Sequence, residues 1–352
     1  GPLHAALAAE ARVVPVDDAE LVVLLDCMPL SDADGARAAT ELVLAQVRHL
    51  LSQRPGCTLV VPVSSTSAAG FRVLSGEWVI VTGASGFIAR QICTWLLGRG
   101  ATRFVLISRT RPADFLPGSV SVAHLSASVA DRHAVQAAIA HADQSGGIAA
   151  IVHAAGIVAD GSMAGGDIGG DAIASVFEAK VDGTRVLLSA AQSCARAPRL
   201  VLCLSSVATV TGSAGQAVYT AACSAMDAMV ASARADGLPA LSVAFGPWAD
   251  GGMAAGLGAS LRAAGFLPMD TQTALGGLES ALLRRATGDR VLVADMDWTR
   301  LASSRAASGA AVPSGCEALI PVAPDDAAER VPSPPDFGSG ATSPTQTSAA
   351  TM

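Results

Sequence analysis

The sequence predicts an α/β fold, a doubly wound parallel sheet with helices on both faces. Short continuous apolar runs, such as Trp78 to Thr82, Ile148 to Val152, Leu200 to Leu204 and Ala240 to Phe245, read as strands buried on both sides. Stretches of helical periodicity separate them, the alternation that builds parallel sheets. At Thr82 a strand passes directly into a glycine-bearing turn and then a helix. That context suits a dinucleotide pyrophosphate held at a helix N-terminus.

Composition narrows the class. The chain has 352 residues, long enough for one large domain and a smaller piece. Its net charge of −7 gives no basic footprint for nucleic acid. Cys27, Cys57, Cys93, Cys194, Cys203, Cys223 and Cys316 form no C-x-x-C pair. They read as reduced, mostly buried thiols of a cytoplasmic protein, without metal spacing. No signal peptide is visible, and no apolar run reaches the roughly 20 residues that span a bilayer.

In order along the chain, residues 1–74 read as a small α/β lobe, with strands Leu21 to Leu25 and Cys57 to Val63 around a helix from Ala39 to Gln53. Residues 75–302 read as the catalytic domain. After the first strand comes Thr82-Gly83-Ala84-Ser85-Gly86-Phe87-Ile88-Ala89, with Ala89 where the last glycine of the motif usually packs, and a helix from Arg90 to Gly98. The second strand, Arg103 to Ile107, ends in Ser108-Arg109; an Arg there suits a 2′-phosphate, hence NADP(H). A strand from Val120 to Leu125 leads to Ser128 and Val129, and a helix from Asp131 to His141 follows. The next strand ends in His153-Ala154-Ala155-Gly156, small residues that suit backbone packed on a cofactor, with His153 itself read as a packed strand-end residue. A helix from Asp171 to about Ala195 carries Lys180. Beyond the Ser/Tyr segment, Ala249 to Phe266 is Gly- and Ala-rich and reads as a substrate lid. A helix from Thr273 to Arg284 and a strand from Arg290 to Ala294 close the sheet; 303–352 reads as a flexible linker or tail.

Lys180 and Tyr219 are the only lysine and tyrosine in the chain, and both lie near the serine loop after Leu204. Ser206 precedes Tyr219 by thirteen residues. A serine hydroxyl, a phenol and an ammonium together can hold a carbonyl oxygen and move a proton to it.

These motifs resemble the short-chain dehydrogenase/reductase superfamily, and more closely the ketoreductase domain of modular polyketide synthases. KVDGT (180–184), LSSVATVTGSAGQAVYTAA (204–222), FGPWADGGMA (245–254) and VADMDW (293–298) carry the likeness. It implies a Rossmann-type catalytic lobe behind a truncated Rossmann-like structural lobe, a β-ketoacyl substrate on an acyl carrier protein, and other domains of the same synthase as neighbours. Tyr219 would protonate the ketone oxygen, Ser206 would hydrogen-bond it, and Lys180 would draw the phenol toward working pH. The cofactor would lie on Thr82, Gly83, Ser85, Gly86, Phe87, Ile88, Ser108, Arg109, Ser128, Val129, His153, Ala154, Ala155, Gly156, Gly246 and Pro247. The substrate would meet Asp160, Thr211, Gln216, Trp248 and Met253. Asp160 stands where B-type members end a Leu-Asp-Asp motif, and Thr211 where A-type members carry Trp.

The departures concentrate on the relay and the cofactor. Cys223 stands where the family carries a catalytic Asn, and the chain has no asparagine. Ser128 stands where the family usually has Asp near the adenine. Three readings stay open: a reductase-impaired domain that epimerises C2 of a 2-methyl-3-ketoacyl thioester, as reductase-inactive family members do; a B-type NADPH reductase that tolerates Cys223; and a non-catalytic structural domain.

Overall fold

A computed structural model describes residues 12–16, 20–24, 71–161, 168–283, 290–312, 316 and 319–320. Near the N-terminus it describes an antiparallel pair, β1 (Arg12–Val16) and β2 (Glu20–Leu24). The strand expected from Leu21 is thus present one residue earlier, and β1 is an addition. The expected helix from Ala39, the strand from Cys57 and the part of the expected 303–352 tail beyond residue 320 lie outside the described residues.

The main body runs β3 (Trp78–Thr82), α1 (Phe87–Leu97), β4 (Arg103–Ser108), β5 (Ser121–Ser126), α2 (Arg132–Gln144), β6 (Ile148–His153) and α3 (Gly170–Phe177). A π-helical turn, Glu178–Asp182, joins α3 to α4 (Gly183–Gln192). Then come β7 (Val201–Ser206), α5 (Ala208–Thr211), α6 (Ala217–Ala235), β8 (Ala240–Phe245), α7 (Gly258–Ala263), β9 (Phe266–Leu267), α8 (Thr271–Leu283), β10 (Arg290–Val293), β11 (Asp295–Met296) and α9 (Trp298–Ala307).

Seven strands form one parallel sheet in the order β10-β8-β7-β6-β3-β4-β5. The chain starts in the middle, winds out through β4 and β5, returns, and winds out the other way from β6. The order reverses between β3 and β6, and ligands bind at such a crevice, beyond the carboxyl ends of the strands. Trp78 to Thr82 is buried along its whole length, as are β6 and β8. Alternate residues of β3 feed two cores: Val79 and Val81 pack with α1 and α8 residues such as Ile92 and Leu278, while Trp78 and Ile80 pack with α2, α4 and α6 residues such as Ile139, Leu187 and Met226. The doubly wound Rossmann-type sheet expected from the sequence is therefore present.

Caps follow the local chemistry. Asp131 accepts the Ala134 N–H at the start of α2, and Asp297 accepts the Arg300 N–H at the start of α9. Gly86 at the start of α1 offers no side-chain cap, so the N-terminal N–H groups stay available to an anion. Among the described residues no helix is long and apolar enough to cross a membrane, and no group of three His, Cys, Asp or Glu could hold a metal ion.

Candidate active site

Two concavities open along the carboxyl edge of the sheet. The first, about 890 Å³, is walled by Gly83, Ser85 and Gly86, by Ser108 and Arg109, by Ser128 and Val129, and by Ala154 to Gly156. Ten of the expected cofactor residues thus share one cleft. Gly83 has φ +65, and a Cβ there would lie 2.6 Å from the Ala155 nitrogen, so only glycine permits the turn to close on β6. Ser85 and Gly86 are exposed at the open N-terminus of α1, and exposed Arg109 stands at the end of β4. This cradle fits a dinucleotide bearing an additional phosphate on its ribose.

Thr82 and His153 do not line that cleft. Both are fully buried beneath it. The Thr82 hydroxyl lies 2.7 Å from His153 Nδ1 and accepts the Ala155 N–H at 3.4 Å, which braces the glycine turn against β6. Burial lowers the His153 pKa to about 3, with Lys180 adding to the effect, so the ring is neutral. Its Nε2 lacks a hydrogen bond of full geometry; the Ala179 and Lys180 carbonyls of the π-helical turn are the groups that act on it. His153 is a packed brace, as its strand-end position suggests.

The second concavity, about 830 Å³, has Ser206 and Tyr219 among its walls, together with Thr211, Gln216, Trp248 and Met253. Ile88, Gly246 and Pro247, expected on the cofactor, line this second pocket. Phe87 reaches it indirectly: its ring meets Trp248 edge-on at 6.2 Å, and a Cβ on Gly251 would lie 2.7 Å from it. The segment expected as a lid supplies Met253, Leu257 and Leu261 to the pocket, and Met253 and Leu257 are half-exposed large apolar side chains at its mouth. Asp160 sits at the rim, where it accepts a 3.0 Å hydrogen bond from Gln216 Nε2. The two concavities meet where the 85–88 turn and the 157–158 segment each contribute to both.

Behind the pocket lies the relay. Tyr219 lies in the first turn of α6 and is 6% exposed; Cys223, one turn on, is fully buried. The Ser206 hydroxyl and the Cys223 thiol both act on the Tyr219 hydroxyl. Burial pushes the phenol well above its ordinary value; Cys223 raises it further and Ser206 pulls it back. Lys180, buried on the π-helical turn, donates from Nζ to the Leu204 carbonyl at 2.7 Å. Its charge acts on Cys223, Cys203 and His153. The net shift of the phenol is upward, set first by its burial and then by Cys223, while the Lys180 ammonium donates to the β7 carbonyl at Leu204.

The turn that holds Lys180 is built by its own sequence. Thr184 Oγ1 donates to the Lys180 carbonyl at 2.5 Å. A Cβ on Gly183 would lie 2.5 Å from Val129 Cγ1 and 3.3 Å from His153 Cε1, so glycine lets α4 pack close under the cofactor cleft. Single-turn π distortions of this kind recur at functional sites. One wall residue escaped the sequence reading. Glu178 lines the first cleft and accepts a 2.6 Å hydrogen bond from the Ser128 hydroxyl. The only signal for it was a carboxylate two residues before Lys180 on the same turn.

A dinucleotide-shaped cleft meeting a Ser–Tyr pocket defines an oxidoreductase-type site on a doubly wound sheet. Comparison with known proteins narrows the class. Residues 77–250 match the KR domain family. Polyketide synthase GfsB of Streptomyces halstedii is 39% identical over 250 residues, covering 66% of this chain and 4% of that protein. A solved A1-type ketoreductase superposes with a TM-score of 0.63 at 29% identity, covering 75% of this chain and 56% of that one. The first ketoreductase of the tylosin polyketide synthase does so with a TM-score of 0.59 at 34% identity, covering 69% and 54%. Residues 77–250 thus form a KR domain of the kind found in polyketide synthases, and the chain spans a small fraction of the synthase it matches.

Proposed function

We propose that this domain acts on a 2-methyl-3-ketoacyl thioester presented by an acyl carrier protein, among the other domains of a synthase, and that its main reaction is epimerisation at C2 with ketone reduction impaired. The observation that carries this is the relay behind Tyr219. Cys223 occupies the place of the amide, burial and Cys223 hold the Tyr219 phenol above its ordinary value, and the Lys180 ammonium is bonded to the Leu204 carbonyl. A thiol donates and accepts hydrogen bonds weakly, so it does not replace an amide in passing a proton back to tyrosine.

The residues that remain suffice for enolisation. The apolar pocket takes the acyl chain, and the Ser206 hydroxyl donates to the ketone oxygen. The C2–H lies between two carbonyls and is acidic. As deprotonated Tyr219 takes this proton, the C–H bond breaks, its electron pair moves through C2–C3 onto the ketone oxygen, and Ser206 stabilises the developing charge. The planar enolate then accepts a proton back on either face. Reactant and product differ only in configuration, and no electron is gained or lost.

The cleft beside the pocket would hold NADP(H), with Gly83, Ser85 and Gly86 around the pyrophosphate and Arg109 at the 2′-phosphate. Bound there, such a cofactor supplies hydride for a ketone carbon. One observation favours the second reading, B-type reduction to a 3-hydroxyacyl thioester: a buried Tyr219 that stays protonated is a ready proton donor to the ketone oxygen.

Cys223→Asn tests the choice. With NADPH and a 2-methyl-3-ketoacyl carrier protein, the variant should form at least tenfold more 3-hydroxy product than the unaltered domain, an effect that restoring one relay group can supply (about 1.4 kcal/mol). An unaltered domain that already reduces as fast as the variant would contradict the reading.

A further inference from the structure

The first cleft has a wall that the glycine turn and Arg109 do not account for. Beyond Arg109 it continues along the sheet edge past the end of β5, where Ala127, Ser128 and Val129 line it. A dinucleotide with its pyrophosphate on Gly83–Gly86 and its ribose phosphate at Arg109 would have this wall left for its purine base, since the base is joined to that ribose. The opposite wall is the π-helical turn, and from it Glu178 reaches across to Ser128. The hydrogen bond is 2.6 Å with Ser128 donating to Oε1. Ser128 Oγ also accepts the Ala130 N–H at 3.2 Å. The serine proton is therefore committed, and Oε2 of the exposed carboxylate has no partner among the described residues.

We propose that Glu178, steadied by Ser128, is the acceptor for the exocyclic amino group of the purine base. The carboxylate that Ser128 lacks is supplied from the facing helix. A purine 6-amino group donates two hydrogens and accepts none, which matches a carboxylate; a 6-oxo group in its place would set oxygen against oxygen. This assignment rests on the reading of the cleft as an NADP(H) site, and it adds which atom reads the base. Glu178 thereby becomes a base-specificity residue, carried two positions before Lys180 on the same turn.

The test is a binding titration by cofactor fluorescence, with no turnover. Two probes are used: NADPH, and its deamino analogue, in which hypoxanthine replaces adenine. Glu178→Ala should weaken NADPH about five- to twentyfold, as loss of a charge-assisted hydrogen bond at an exposed wall does. The same substitution should leave the analogue unchanged or tighten it, because a repulsion is removed. Glu178→Gln keeps a carbonyl acceptor and should retain part of the preference. In Ser128→Asp, Glu178→Ala, a carboxylate on the β5 wall should restore the preference for NADPH. If Glu178→Ala weakens both probes equally, the residue supports the wall without reading the base, and the assignment is overturned. If Glu178→Ala tightens NADPH, the carboxylate repels the dinucleotide, which also overturns it. If the unaltered domain binds neither probe, the NADP(H) reading fails and the assignment with it, an outcome distinct from binding without discrimination.

Discussion

Burial at Tyr219 makes its phenolate costly, and this sets how the site responds to pH. In the proposed epimerisation the group that removes the C2 proton is the deprotonated phenol. Its folded value lies well above the ordinary one of about 10, so its basic form is a small fraction at neutral pH and grows about tenfold per unit below that value. Exchange of the C2 proton should therefore climb steadily from pH 6 to pH 9 without a plateau; a flat profile would remove Tyr219 as the base. Tyr219→Phe should lower exchange at least a hundredfold, measured by loss of deuterium from C2, within the range ordinary for general bases of about 10²–10⁴. Ser206 and Tyr219 came from the family resemblance, and both line one pocket, because a strand end and the first turn of the next helix meet at the sheet edge. Cys223 was legible as one turn past Tyr219. The direction of Lys180 was not, since it depends on where a widened turn aims one flexible side chain. Glu178 was missed for the same reason: its partner Ser128 is fifty residues away in sequence.

The π-helical turn at Glu178–Asp182 is the element on which both clefts depend. It presents Glu178 to one and Lys180 to the ground behind the other, and Gly183 lets it seat against Val129. Gly183→Ala should cost about 1–3 kcal/mol of stability, because the added methyl enters a packed wall. Chemical denaturation would read that loss, and an unchanged midpoint would mean that Val129 gives way freely. Gly83→Ala carries a different burden, since it combines positive φ with a contact on the Ala155 backbone, and it should abolish fluorescence-detected NADPH binding even where the fold survives. Sequence periodicity located every strand of the main sheet to within a residue or two, because parallel strands buried on both faces leave continuous apolar runs. It did less well where the chain is short or Ala-rich. Helix α9 continues to Ala307 through a region that reads as linker by composition, anchored by buried Leu301 and by Arg305 donating to the Thr211 carbonyl at 2.6 Å. The β1–β2 pair is a hairpin whose first strand holds a proline, which weakens its strand signature.

At the scale of the whole molecule, the doubly wound sheet brings the cofactor cradle and the Ser–Tyr pocket to one edge and locks them together through buried polar braces. His153 is the deepest of these. Its folded pKa of about 3 lies below the unfolded value of about 6.5, so the unfolded chain binds the extra proton between them. The contribution of neutral His153 is fully present above pH 6.5 and is lost as pH falls toward 3. Measured against His153→Gln, the unaltered domain should lose stability more steeply across that window, and parallel curves would show that the ring is not held neutral. The sheet order and the glycine turn make the family legible from sequence; the choice between epimerisation and reduction rests on a few atoms behind Tyr219. The most direct measurement of that choice uses a 2-deuterio-2-methyl-3-ketoacyl carrier protein with and without NADPH. The expected result is deuterium loss at C2 at the same rate in both, with little 3-hydroxy product when NADPH is present. Retention of deuterium in the absence of NADPH, with efficient conversion to the 3-hydroxy product in its presence, would contradict it.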